Sequence, residues 1–186
     1  LIPDRLMQAL RGAQLVVEEP SQNPQSPPEA AAAKDADVVK ERPAPGAVVN
    51  IALFLAQSCN LACTYCYGRG GSYGGGGLMR ADTARKAVDW LMANSGAFRK
   101  VHIGFFGGEP LLNLPVLKET VDYAKAQAAR HGKQVHFGIT TNATLLDEEI
   151  AAYLGQENIR PLVSCDGPAE IHDRQRPFRD GQGSHL

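Results

Sequence analysis

The chain has 186 residues, enough for one domain and an arm and too few for two large domains. Its 19 Lys+Arg against 20 Asp+Glu leave a formal net charge of -1, which gives no reason to invoke a nucleic acid or a membrane surface, since both demand a concentrated basic excess. The apolar fraction of 44% is that of an ordinary globular protein, and no run of about 18 apolar residues exists to span a bilayer.

Glycine and proline are unevenly placed: seven of the twelve prolines fall in residues 1–47, and seven of the nineteen glycines fall between Gly68 and Gly77. Residues 1–19 hold a short amphipathic helix candidate, Asp4 to Leu10, then an apolar strand-like piece, Gln14 to Val17. From Pro20 the composition turns to Pro, Ala, Ser, Gln and charge, which cannot bury enough surface to offset its ordering entropy. Residues 20–47 therefore read as a linker, and residues 48–186 as the folded core.

Within that core, Val48 to Leu55 predicts a buried strand. Thr83 to Asn94 predicts a helix with Ala84, Ala87, Val88, Leu91 and Met92 on one face, Asp82 as its N-cap and Gly96 as its terminator. A second strand, Val101 to Phe106, leads into Gly107 and Gly108. Pro115 suits the first turn of a helix reaching about Arg130, with Leu117, Val121, Ala124 and Ala128 inward and Gly132 at its end. A third strand covers Val135 to Thr140. Asp147 caps a helix from Glu148 to Leu154 closed by Gly155, and a fourth strand, Ile159 to Cys165, enters the turn Asp166-Gly167-Pro168. This βαβαβαβ order predicts an α/β fold with a parallel sheet, and Val101-His-Ile-Gly104 and Val135-His-Phe-Gly138, 34 residues apart, hint at a repeated unit.

In such sheets, sites form past the carboxyl ends of the strands. The first of these segments carries Cys59, Cys63 and Cys66 as C-x3-C-x2-C. Three thiolates on one loop suit three corners of a cubic iron-sulfur cluster and leave the fourth iron open to a ligand. Structural zinc would want a fourth ligand, and no His lies within thirty residues of the triplet. Thiols so closely spaced read as metal ligands in a reducing compartment, which points to the cytoplasm. The remaining Cys165 reads as a small core hydrophobe. His102 and His136 read as interior or bottom-face residues, His172 as a loop hydrogen-bonding residue, and Arg174, Arg176, Arg179 and Asp180 as a solvated face.

Cys-x3-Cys-x-aromatic-Cys after a first strand, with Tyr65 as the aromatic, followed one strand later by Gly107-Gly108-Glu109-Pro110, resembles the radical S-adenosylmethionine (SAM) enzymes. Thr140-Thr-Asn142 and Val163-Ser164-Cys-Asp166-Gly-Pro, with Ile171-His172-Asp173 and Arg176 after them, resemble the peptide-modifying branch, which includes sulfatase-maturating enzymes and thioether-forming maturases with SPASM or twitch domains. The resemblance implies a partial (β/α)6 barrel, its first four βα units preceded by an arm. It also implies a [4Fe-4S] cluster on Cys59, Cys63 and Cys66, with SAM chelating the open iron.

By the same resemblance Tyr65 lies against adenine, Gly107 and Gly108 admit the methionine part, Glu109 or nearby carbonyls receive its ammonium, and Ser164 contacts the ribose. Asn142 shares that pocket, and Arg176 touches cofactor or peptide. The Gly68–Gly77 segment resembles the loop of thioether-forming maturases and suggests a lid, and residues 1–19 resemble the tail of a leader-binding winged-helix region. The implied activity is reductive cleavage of SAM, with the 5'-deoxyadenosyl radical abstracting hydrogen from a peptide or protein. A flavodoxin or ferredoxin is the implied electron donor. Two barrel strands and any auxiliary clusters are expected beyond this sequence, which reads as a fragment. The alternatives are a radical SAM enzyme on a small molecule and an iron-sulfur or zinc protein for electron transfer or redox sensing.

Overall fold

A computed structural model describes residues 46–185 and, ahead of them, residues 7, 8, 11–13 and 15. Most of the expected N-terminal piece, 1–19, and of the linker, 20–47, lies outside the described residues. In chain order the elements are β1 (Asn50–Gln57), β2 (Gly77–Leu78), α1 (Ala81–Asn94), β3 (Lys100–Gly107), α2 (Leu114–Arg130), β4 (Gln134–Thr141), α3 (Glu148–Gln156), β5 (Ile159–Val163) and α4 (Ala169–Gln175), with a 3-10 turn at Pro110–Asn113. The expected α/β architecture of successive βα units is present.

The sheet runs β2-β1-β3-β4-β5, with β1, β3, β4 and β5 parallel and β2 antiparallel at the edge. Alternation of side chains decides which face is covered. Val101, Ile103 and Phe105 of β3 are buried, while His102 between them is exposed. The buried set packs with Leu53 and Leu55 of β1, Val88 and Leu91 of α1, Leu117 and Val121 of α2 and Leu154 of α3 in one core. Each such side chain contributes roughly 1.5–3 kcal/mol by leaving water.

The two Val-His-x-Gly fragments lie side by side in register, His102 opposite His136 and Gly104 opposite Gly138. Both therefore occupy the same place in their units, and the imidazoles stack at 5.3 Å. His102 is exposed rather than interior, burial nevertheless lowers its pKa, with His136 and Arg160 adding to the effect, and His136 keeps a buried Nε2 with no partner.

Several boundaries differ from expectation. Helix α1 starts earlier, with Arg80 as its N-cap and no side-chain cap bond; Asp82 sits in the first turn, where its charge favours the helix N-terminus. Helix α3 runs through Gly155 to Gln156, and the chain turns at Asn158 with φ 53°. Gly155 is needed for contact instead: a Cβ there would stand 2.6 Å from the Ala13 carbonyl oxygen. Strand β2 has only two residues, one of them glycine, and so carries no strand signature. Strand β5 ends at Val163, so the side-chain alternation that would have buried Cys165 stops first and that thiol is exposed.

The Asp147 cap is as expected, its carboxylate accepting from the Ile150 N–H at 2.8 Å. Asp147→Ala is expected to cost about 1 kcal/mol, read as a lowered urea midpoint at unchanged slope. Among the described residues, no helix is long and apolar enough to cross a membrane.

Candidate functional site

The segments past β1, β3, β4 and β5 converge on one cavity of about 460 Å3. Its wall includes Cys59, Cys63, Tyr65 and Cys66 from the first segment, Gly107 and Gly108 from the second, Thr141 and Asn142 from the third, and Ser164, Cys165 and Asp166 from the fourth. Arg176, just beyond α4, completes it. Of the residues expected to hold the cluster or SAM, all but Glu109 line this wall.

The cysteine loop is held from outside its own segment. Leu61 is buried and bridges Phe178 antiparallel; the Ala62 N–H donates to the Pro177 carbonyl at 2.8 Å and the Thr64 N–H to the Gln175 carbonyl at 2.9 Å. Arg179 donates to the carbonyls of Cys59 at 2.7 Å and Gly70 at 2.9 Å. Arg176 and Arg179, read as part of a solvated face, therefore brace the site, and Arg176 is 8% exposed, whereas Arg174 is exposed as expected.

All three thiols are free and half-buried. Burial pushes the Cys59 and Cys63 thiols up, and at Cys63 the Arg176 guanidinium is the strongest opposing influence. Cys59 and Cys63 left to themselves thus resist ionising, a cost that a bound cation removes. Three thiols with no fourth Cys or His on the same loop fit three corners of a [4Fe-4S] cluster better than structural zinc.

Gly107 and Gly108 line the cavity, but the space they spare is internal. A Cβ on Gly107, at φ 129°, would stand 2.3 Å from the Ala56 carbonyl oxygen, and one on Gly108 would stand 2.1 Å from that of Ser58. Backbone approaches backbone here, so the end of β1 can deliver the cysteine loop against the end of β3.

Glu109 is fully buried, and its carboxylate turns to the protein. It accepts from the Leu111 N–H at 3.0 Å, the Thr141 hydroxyl at 2.8 Å and the Asn142 N–H at 2.8 Å. Burial raises its pKa, and these three bonds oppose the rise. Glu109 thereby fixes the turn after β4, where Ala143 takes φ 64°. That turn aims the Asn142 amide, which donates to Asn60 Oδ1 at 2.9 Å and to Cys59 Sγ at 3.7 Å. Thr144 closes the ring by donating to Asn142 Oδ1 at 2.7 Å and accepting from Asn60 Nδ2 at 2.7 Å.

Tyr65 is 56% exposed, with its hydroxyl 2.6 and 2.9 Å from the two Asp166 oxygens. Burial and that carboxylate push its pKa up to about 12. The Asp166 N–H donates to His172 Nδ1 at 3.3 Å, so His172 does form the expected hydrogen bond, from inside α4 rather than a loop. The glycine-rich segment is tied down at Tyr73, whose hydroxyl donates to the Gly107 carbonyl at 3.1 Å and whose ring packs on Phe54 at 4.9 Å. Beyond it Gly77 pairs with Gln57 of β1, and between these two anchors a Cβ on Gly74 or Gly76 meets open space.

A sequence profile of the Radical SAM superfamily matches residues 53–184. An uncharacterized protein of Methanocaldococcus jannaschii is 34% identical over 137 residues, 74% of this chain and 45% of that protein. A serine-type anaerobic sulfatase-maturating enzyme of Bacteroides thetaiotaomicron is 33% identical over 133 residues, 69% of this chain and 31% of the enzyme. The chain thus spans under half the length of these relatives. Among solved structures, native anSMEcpe with bound AdoMet and Cp18Cys peptide superposes with a TM-score of 0.63 at 28% identity, covering 75% of this chain and 37% of that one.

Proposed function

The chain belongs to the radical SAM superfamily, and from that premise we propose that residues 48–186 form the core of a peptide or protein maturase using a [4Fe-4S] cluster and SAM. The observation that carries the reading is the set of three free thiols on one loop, sharing a cavity with the ends of all four parallel strands. Cys59, Cys63 and Cys66 would hold the cluster. Tyr65, Gly107, Gly108, Asn142 and Ser164 would receive SAM, and Glu109 would act by positioning Asn142 instead of touching the cofactor. When bound, the pair supplies an electron and a 5'-deoxyadenosyl radical that takes hydrogen from the substrate.

The residues of the chain bind, orient and exclude water. Leu61, buried under the cysteine loop, and the bonds to residues 175–179 keep that loop fixed while the cavity fills. A peptide substrate is supported by the likeness to a sulfatase-maturating enzyme and to anSMEcpe, solved with a peptide. The products in view are a thioether or an oxidised side chain, formed in a reducing, cytoplasmic setting with a flavodoxin or ferredoxin as donor.

The test uses the full-length protein, reconstituted anaerobically with iron and sulfide and treated with dithionite and SAM. We expect 5'-deoxyadenosine that depends on both reagents. A protein carrying an intact reducible cluster that forms none, with or without a cysteine-containing peptide, sinks the reading.

A further inference from the structure

Arg176 is held more firmly than a surface arginine. Its side chain is 10% exposed, its N–H donates to the His172 carbonyl at 2.7 Å, and its own carbonyl accepts from the Ser184 hydroxyl. The guanidinium faces the cysteine loop: Nη1 donates to the Tyr65 hydroxyl at 3.3 Å and stands 3.9 Å from Cys63 Sγ. Its Nε lies 3.8 Å from Asp166 Oδ1, beyond hydrogen-bond reach, and is a buried donor with no acceptor. A permanent cation with a spare donor thus lines the same cavity as the three thiols.

The potential of an iron-sulfur cluster follows its net charge, the hydrogen bonds to its sulfurs and its exposure to solvent. Reduction adds one negative charge, so a fixed neighbouring cation stabilises the reduced form more than the oxidised one. A carboxylate beside that cation cancels part of its field.

Resting on the reading above, we propose that Arg176 is a positioning residue that raises the reduction potential of the cluster through the sulfur of Cys63, and that Asp166 trims the effect. The arginine supplies charge and a hydrogen bond to the sulfur side of the site. The aspartate, itself engaged by Tyr65, sets how much of that charge reaches the thiolate. Reducibility of the cluster is then written into the segment that follows α4, far in sequence from the cysteine loop it braces.

The experiment is a dithionite titration of the full-length reconstituted protein, followed by the electron paramagnetic resonance signal of the reduced cluster. For R176Q we expect the reduced-to-oxidised ratio at the wild-type midpoint to fall about tenfold, a shift of about 59 mV to more negative potential for one electron. R176K should recover most of the loss, D166N should move the midpoint the other way, and R174Q, which removes an exposed arginine from α4, should leave it in place. Should R176Q assemble no cluster, the D166N midpoint decides alone. An unmoved midpoint in R176Q, or an equal shift in R174Q, overturns the inference while the proposed function stands. A wild-type protein that assembles no cluster overturns both.

Discussion

Cys63→Ala is expected to abolish 5'-deoxyadenosine formation and to leave the full-length protein unable to retain iron and sulfide through desalting. Each of the three thiols would hold one corner of the cluster, and no other cysteine stands ready to replace a lost one. Cys165, which shares the cavity wall, is the alternative to be tested, but it projects from the segment past β5 and not from the cysteine loop. Removing mere outer partners of metal ligands costs about 10–100-fold in affinity, so removing a ligand costs at least that. The fold should survive, because Cys63 is only half-buried and the loop is anchored by Leu61, Ala62 and Thr64 against residues 175–178. Iron content, visible absorption and thermal midpoint measured together separate these effects. C165A should keep its iron. Iron retained by C63A and lost by C165A would reassign the ligand set, and iron retained by both would remove the cluster from this loop.

What could be read in the sequence was whatever depends on neighbours along the chain. Strands β3 and β4 and helix α2 have strong periods, and the expected inward residues of α2, Leu117, Val121, Ala124 and Ala128, are buried, joined by Thr120. The cysteine triplet and the Gly-Gly-Glu-Pro segment stood out because such residues are rarely clustered without chemical cause. Pairings across long sequence distances were hidden. Nothing local in 175–179 announces that this segment pairs with the cysteine loop, so by composition alone Arg176 and Arg179 read as solvated charges, and only the family resemblance marks Arg176 for the site. Gly155 looked like a helix terminator because its partner, Ala13, is more than a hundred residues away. The purpose of Gly107 and Gly108 was equally hidden, since the atoms that forbid a side chain there belong to β1 and its loop.

Glu109 brings these two kinds of information together, and its replacement carries the largest expected effect on stability. The carboxylate is fully buried and receives three donors from the turns that follow β3 and β4. In E109A all three lose their acceptor, and an unsatisfied buried donor costs about 1–3 kcal/mol. Summed, that approaches the whole stability of a typical domain, about 5–15 kcal/mol, so E109A should lose cooperative unfolding. E109Q keeps the shape, but its amide must face the N–H of either Leu111 or Asn142, donor against donor. It should cost about 1–3 kcal/mol, read as a lower urea midpoint of the apo-protein. The pH dependence has a definite sign. Burial raises the folded pKa of Glu109 above the ordinary 4.5, so between that value and the raised one the folded state holds a proton that the unfolded chain has released. This contribution is complete below 4.5 and is lost as pH rises through the raised pKa. The advantage of wild type over E109Q should therefore widen as the pH is lowered through that window. Parallel pH profiles would show that the carboxylate does not sense its burial, and equal midpoints would show that Asn142 is held in place without it.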